Sequence, residues 1–140
     1  MNNKLTAILG TAALFMSVAS AHHSFSAEFD ANQPVTLEGT VVKMDFVNPH
    51  SWLYLDVIGP DGKVQHWSVE GGAPGVLLRN GWNRNSLPEG TKVIVHGHMS
   101  KDGSYRANSS DIQFPDGRKL DTGSSYTGGK EDSKKDEKKK

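Results

Sequence analysis

The sequence predicts a small domain built mainly of β-strands, with one short helix. Segments of alternating apolar and polar residues recur along the chain, which is typical of half-buried strands. Turn sequences rich in Gly, Pro, Asn and Asp separate these segments. Only the segment from Ala73 to Asn80 favours a helix. A chain of 140 residues has room for one such domain.

The first half of the predicted domain contains three strands. The segment from Val35 to Phe46 is rich in β-branched and apolar residues, and Gly39 within it marks a bulge or a bend. Ser51 to Ile58 and Val64 to Glu70 both alternate in polarity. The turn sequence Gly59-Pro60-Asp61-Gly62 separates them, so we expect them to form a hairpin.

The second half contains the helix and two more strands. Pro74 suits the first turn of the helix and Gly81 its end. Thr91 to His98 and Tyr105 to Phe114 are the remaining strands. Three strands, a helix and two strands are the order of the OB-fold, a five-stranded, partly open barrel, with a small β-sandwich as the alternative. We expect the apolar faces of these strands to fill the barrel interior, with Leu53, Leu55, Val57, Trp67, Val69, Val93 and Val95.

Both ends of the chain differ in composition from this domain. Residues 1–21 carry a basic start, an apolar run and the small pair Ala19 and Ala21, which together predict a signal peptide cleaved before His22. The apolar run, about 14 residues, is too short for a spanning helix, which needs roughly 20, so an uncleaved anchor is the less favoured alternative. We therefore expect a mature periplasmic or secreted protein of a Gram-negative bacterium without a transmembrane span. The domain then covers 22–121, and the Lys-rich segment 122–140 is predicted to be disordered.

Charge and composition exclude some classes of function. Residues 22–129 contain 9 basic and 12 acidic side chains, a net charge of −3 that disfavours binding to nucleic acid. The chain has no cysteine, so it forms no disulfide bond. A metal site would have to use nitrogen and oxygen ligands, with Met as the only sulfur donor. No nucleophile elbow, phosphate loop or His-Glu-x-x-His motif is present, which favours a binding protein over an enzyme.

A run of spaced motifs links the chain to a known group of proteins. The motifs are His22-His23-Ser24-Phe25, Phe29-Asp30, Gly39-Thr40-Val41, Asn48-Pro49-His50, Trp67-Ser68-Val69-Glu70 and Gly81-Trp82. Over roughly residues 20–120 the chain resembles a family of small secreted bacterial proteins, chiefly from proteobacteria, that is known as a domain of unknown function. The resemblance implies a periplasmic or secreted single-domain β protein and supplies no activity.

The histidines suggest a metal site at the mature amino terminus. Cleavage before His22 would leave a free amine and an imidazole on the first residue, followed by His23. Such nitrogen ligands suit copper, with zinc as the alternative. His50 is the candidate further ligand, and Glu70 is a candidate oxygen ligand or its partner. If the turn at 59–62 sets the hairpin register, both residues lie at the same end of the barrel.

Other interpretations of these residues stay open. The histidines can be structural, in an OB-like module that binds a periplasmic protein or a small ligand through its sheet face. Trp52 and Tyr54 would then offer an aromatic surface, unless Phe25 and Phe29 cover that side of the sheet. His96 and His98 share one face of a strand and form a weaker metal candidate, whereas His66 is expected to be exposed or paired. A redox enzyme with a histidine brace is the least favoured alternative.

Overall fold

The computed structural model describes residues 25–124 of the chain. Residues 25–28 form a helical turn that leads into the first strand. The elements that follow are β1 (Phe29–Asp45), β2 (Trp52–Ile58), β3 (Val64–Glu70), α1 (Pro74–Arg79), β4 (Lys92–Ser100), β5 (Arg106–Gln113) and β6 (Lys119–Asp121). The predicted signal peptide, His22 and His23, and the predicted tail beyond residue 124 lie outside the described residues. Neither helical segment of the described chain is long and apolar enough to cross a membrane.

The strands form one sheet that closes on itself. Their order is β3-β2-β1-β4-β5-β6, with neighbours antiparallel, and a further parallel pairing between β3 and β5 completes the ring. This confirms the predicted all-β class and the helix between the third and fourth strands. A single closed sheet also removes the alternative of two facing sheets. The short strand β6, which pairs with β5 through Ile112 and Leu120, was not predicted.

Strand β1 is longer than its sequence predicts. It begins at Phe29, six residues before Val35, and extends over 17 residues. The early part is polar and includes Pro34, where the pairing with β4 shifts register, so it shows no strand alternation. The strand bridges two neighbours: Gly39 pairs with Val57 of β2 and with Val93 of β4. The bulge lies between Val41 and Lys43 rather than at Gly39 itself.

The core confirms the predicted interior. All seven predicted residues, from Leu53 to Val95, are buried at 9% exposure or less. The cluster also takes in residues from other elements, namely Leu37, Val41, Leu77, Trp82, Leu87, Ala107, Ile112 and Phe114. Each fully buried aliphatic or aromatic side chain contributes about 1.5–3 kcal/mol. Packing of this kind stabilises a chain that has no disulfide bond.

The folded part of the chain continues past the predicted boundary at residue 121. Thr122 is 2% exposed, and its hydroxyl donates to the carbonyl oxygen of Ser109 at 2.5 Å. The amide of Gly72 donates to the Thr122 carbonyl oxygen at 2.7 Å. Residues 122–124, which were predicted to belong to the tail, are therefore part of the domain, and they connect the middle of β5 to the loop that follows β3.

Candidate metal site on the outer face of the sheet

Four residues form a row across the strands on the outer face of the sheet. Trp52 pairs with Glu70, Glu70 with Asn108, and Asn108 with His98. Residues that pair across strands point to the same side of a sheet. Their sequence neighbours, such as Val69 and Ala107, line the buried interior, so the row lies outside the ring of strands. We call these four residues the outer row.

His50 lies directly beside Glu70, one of the two inner residues of this row. The backbone of Ser51 continues the β2–β3 ladder, because its amide donates to Gly72 and its carbonyl accepts from Gly71, at 3.0 and 2.9 Å. This continuation places residue 50 just past the end of β3. His50 Nδ1 is 3.1 Å from Glu70 Oε1, which confirms that the two residues lie at one end of the ring. The hairpin turn sets this register, as its sequence indicates.

Glu70 is a largely buried acid that contacts described residues through one of its two carboxylate oxygens. Its side chain is only 5% exposed. Oε1 takes both described contacts, from His50 Nδ1 and from the Asn108 amide nitrogen at 3.4 Å. Within residues 25–124, no hydrogen bond or ion pair reaches Oε2. Burial raises the pKa of Glu70, and Glu28 raises it further, while His50 opposes the shift. A cation beside Oε2 would therefore be favoured electrostatically.

The N-terminal segment, residues 25–30, folds over the same face. The Phe25 ring packs edge-on against the His98 ring at 5.7 Å and lies 5.8 Å from the Phe29 ring. Both phenylalanines are buried, at 6% and 2% exposure. The predicted packing of these two side chains on the sheet is therefore correct. Burial under this segment lowers the pKa of His98, an effect that Asp30 partly offsets.

Polar contacts fix the N-terminal segment to the β4–β5 turn. Glu28 pairs with Arg106 at 2.8 Å, and the Glu28 carbonyl oxygen accepts from the Lys101 amide at 2.9 Å. The Lys101 ammonium also donates to the carbonyl oxygen of Ser26. The Arg106 guanidinium lies over the rings of both Phe29 and Trp52. Arg106 therefore joins the segment to the outer row, and covers Trp52 instead of leaving it as an open aromatic surface.

The other histidines are engaged elsewhere. His66 pairs with Asp56 at 2.6 Å and is highly exposed, as expected. His96 pairs with Asp111 at 2.8 Å. His98 lies beneath Phe25 rather than in solvent, and the β4–β5 pairing shifts register immediately before it, between His96 and Gly97. His96 and His98 thus have separate surroundings and do not form a joint site.

A complete metal site is not found within the described part of the chain. Residues 25–124 contain no group of three or more His, Cys, Asp or Glu side chains that could hold a metal ion. His50 and Glu70 are together, but the remaining predicted ligands, His22 and His23, precede the described residues. Sequence reasoning missed Glu28, Asn108 and Arg106. The polar residues of β5 were the available signal. The opposite face of this strand is buried, so its polar side chains need hydrogen-bond partners close by.

Comparison with models of protein families places most of the chain in one family. The model of a family of unknown function, DUF6152, matches residues 11–109, and the chain belongs to this family. The matched range includes His22, His23, His50 and Glu70 and ends within β5. No curated protein matches the chain.

Proposed function

We propose that this member of the DUF6152 family is an exported metal-binding protein that holds one copper ion between its mature amino terminus and the His50–Glu70 pair. Zinc is the alternative metal. The observation that carries the proposal is Glu70: a buried carboxylate whose Oε1 meets His50 and whose Oε2 has no partner within residues 25–124. Burial penalises the ionised form of Glu70, and a cation bound beside the carboxylate would favour that form.

The His50–Glu70 pair has the chemistry of a metal ligand with its supporting carboxylate. Histidine ligands commonly present one ring nitrogen to the metal and the other to a carboxylate, which orients the ring. His50 presents Nδ1 to Glu70, and Nε2 has no hydrogen-bond partner in the described chain. In this proposal Nε2 binds the metal. Glu70 orients the ring and supplies negative charge close to the ion.

The N-terminal segment supports the amino-terminal half of the proposed site. Phe25 is anchored on the outer row, and Glu28 lies close enough to Glu70 to raise its pKa. Three extended residues span at most about 10 Å, so the amine and imidazole of a chain that begins at His22 would stay near this face. His23 is a further nitrogen donor within the same reach.

The available ligand types favour Cu(II) or Zn(II) over Cu(I). Cu(I) is selected by thiolate and thioether ligands, whereas imidazole and amine nitrogen suit Cu(II) and Zn(II). The chain has no cysteine. The only methionines after residue 21 are Met44 and Met99, and both pack against the hydrophobic core. Neither thioether belongs to the outer row.

Calorimetric titration of the processed protein with Cu(II) and with Zn(II) tests the proposal. We expect one-to-one binding that is lost in His22→Ala and strongly weakened in His50→Ala. His66→Ala is the matched control, because His66 also contacts a carboxylate through Nδ1 but lies far more exposed, at 82%. Equal binding by all variants, or no binding by the wild type, would contradict the proposal. The second result would favour a module that binds a protein or small ligand.

A further inference from the structure

We propose that Asn108 is a positioning residue of this site and that Ser124 sets the orientation of its amide. The inference rests on the proposed function and extends the site to the last described residues of the chain. Ser124 lies beyond the range that the family model matches. The link from Ser124 to Asn108, Glu70 and His50 is what we infer to be functional.

Asn108 occupies the centre of the outer row. It is 1% exposed and pairs in register with Glu70 on one side and His98 on the other. Its side-chain nitrogen is 3.4 Å from Glu70 Oε1, the same oxygen that His50 contacts. Its side-chain oxygen accepts a hydrogen bond from the Ser124 hydroxyl. The amide nitrogen of Asn108 therefore contacts Glu70, and its amide oxygen contacts Ser124, which follows β6.

The two partners of Asn108 favour one orientation of its amide. An asparagine amide has a donor end and an acceptor end of nearly the same shape. An ionised Glu70 accepts only, so it favours the nitrogen, and the Ser124 hydroxyl donates to the oxygen. The reversed amide would place its oxygen against the carboxylate, an arrangement of two acceptors. Loss of the Ser124 hydroxyl removes one of the two restraints.

Ser124 is held in place by the neighbouring chain. Strand β6 pairs with β5, and the Thr122 hydroxyl donates to Ser109 at 2.5 Å. Ser109 in turn donates through its own hydroxyl to the Glu70 carbonyl oxygen at 2.9 Å. The same short segment is thus linked to the backbone of Glu70 through Ser109 and to its side chain through Asn108. Such double attachment gives Ser124 a defined position relative to the carboxylate.

Threonine and valine at position 124 provide a matched test. The two side chains have the same shape, but only threonine retains the hydroxyl, so steric effects cancel between Ser124→Thr and Ser124→Val. We expect Ser124→Val to bind Cu(II) on the order of tenfold more weakly than Ser124→Thr, with wild-type affinity retained by the threonine variant. In the metal-free protein, the Asn108 side-chain amide resonances and the His50 ring nitrogen resonances should shift in the valine variant alone.

The two readouts separate this inference from the proposed function. If the wild type binds no metal but the NMR differences between the threonine and valine variants persist, the positioning role stands and the metal function fails. If copper affinity and both sets of resonances are the same in the two variants, Ser124 does not orient Asn108 and the inference is wrong. Thermal melting of both variants checks that the fold is intact, as we expect for a residue at the end of the domain.

Discussion

Replacement of Phe25 by Ala should release the N-terminal segment from the outer row while leaving the sheet folded. Phe25 is 6% exposed and contacts the rings of His98 and Phe29. Burial of a phenylalanine side chain contributes about 1.5–3 kcal/mol, and an aromatic pair about 0.5–1.5 kcal/mol. The variant should therefore lose about 2–4 kcal/mol of docking free energy, which increases opening of the segment on the order of 30-fold or more. The core residues of the sheet do not include Phe25, so global unfolding should change less.

Hydrogen exchange at Lys101 reports this opening directly. The Lys101 amide donates to the carbonyl oxygen of Glu28, within the N-terminal segment. Its exchange should accelerate in Phe25→Ala, while amides in the β2–β3 pairing keep their protection. Val47→Ala is the control, because it removes an apolar side chain that is 48% exposed and lies outside the segment. Equal Lys101 protection in the two variants would refute the anchoring role of Phe25. Copper affinity should fall in Phe25→Ala only.

Three further predictions follow from named contacts. Because burial raises the pKa of Glu70 above 4.5, the folded state holds that proton more tightly than the unfolded chain, and stability from this group is lost as pH rises through the folded pKa. Glu70→Gln should therefore gain stability relative to the metal-free wild type as the pH rises above 4.5, as measured by urea denaturation, yet lose copper binding. A relative loss of stability would contradict the sign. Burial lowers the pKa of His98 below 6.5, so the stability that comes from its neutral form is lost as the pH falls through the folded pKa. Acid should therefore release Phe25 in the wild type but not in His98→Gln. Phe25 ring resonances followed against pH, together with the His98 titration, check this; identical profiles would refute it. Gly97→Ala should destabilise the fold by about 3 kcal/mol, because its new Cβ would lie 2.2 Å from the Asn108 carbonyl oxygen. Gly75→Ala is the control and should be nearly neutral, because the space around Gly75 accommodates a Cβ. Similar urea midpoints for the two variants would contradict this close contact between β4 and β5.

Local patterns predicted the parts of the fold that depend on neighbours in sequence. Strand β3 has its predicted bounds, and α1 matches to within one residue at each end. The contact between His50 and Glu70 follows from the turn at 59–62, since the register of a short hairpin is fixed by its turn. The interior residues follow from alternation, because one face of each strand is buried.

The remaining parts depend on contacts between distant segments. Glu28 and Arg106 are 78 residues apart in the chain, and neither shows a local pattern that predicts their pairing. The early part of β1 is polar and contains a proline, so only its pairing with β4 makes it a strand. Thr122 and Ser124 look like the start of a polar tail, yet their partners on β5 are buried polar residues that require hydrogen bonds.

The most direct test of the central claim is the position of copper in crystals of the processed protein loaded with one equivalent of Cu(II). The proposal predicts one anomalous-scattering peak about 2 Å from the His50 ring nitrogen that faces away from Glu70, with the amine and imidazole of His22 as further ligands. A peak at His66 or at His96, or a protein that takes up no copper, would contradict it.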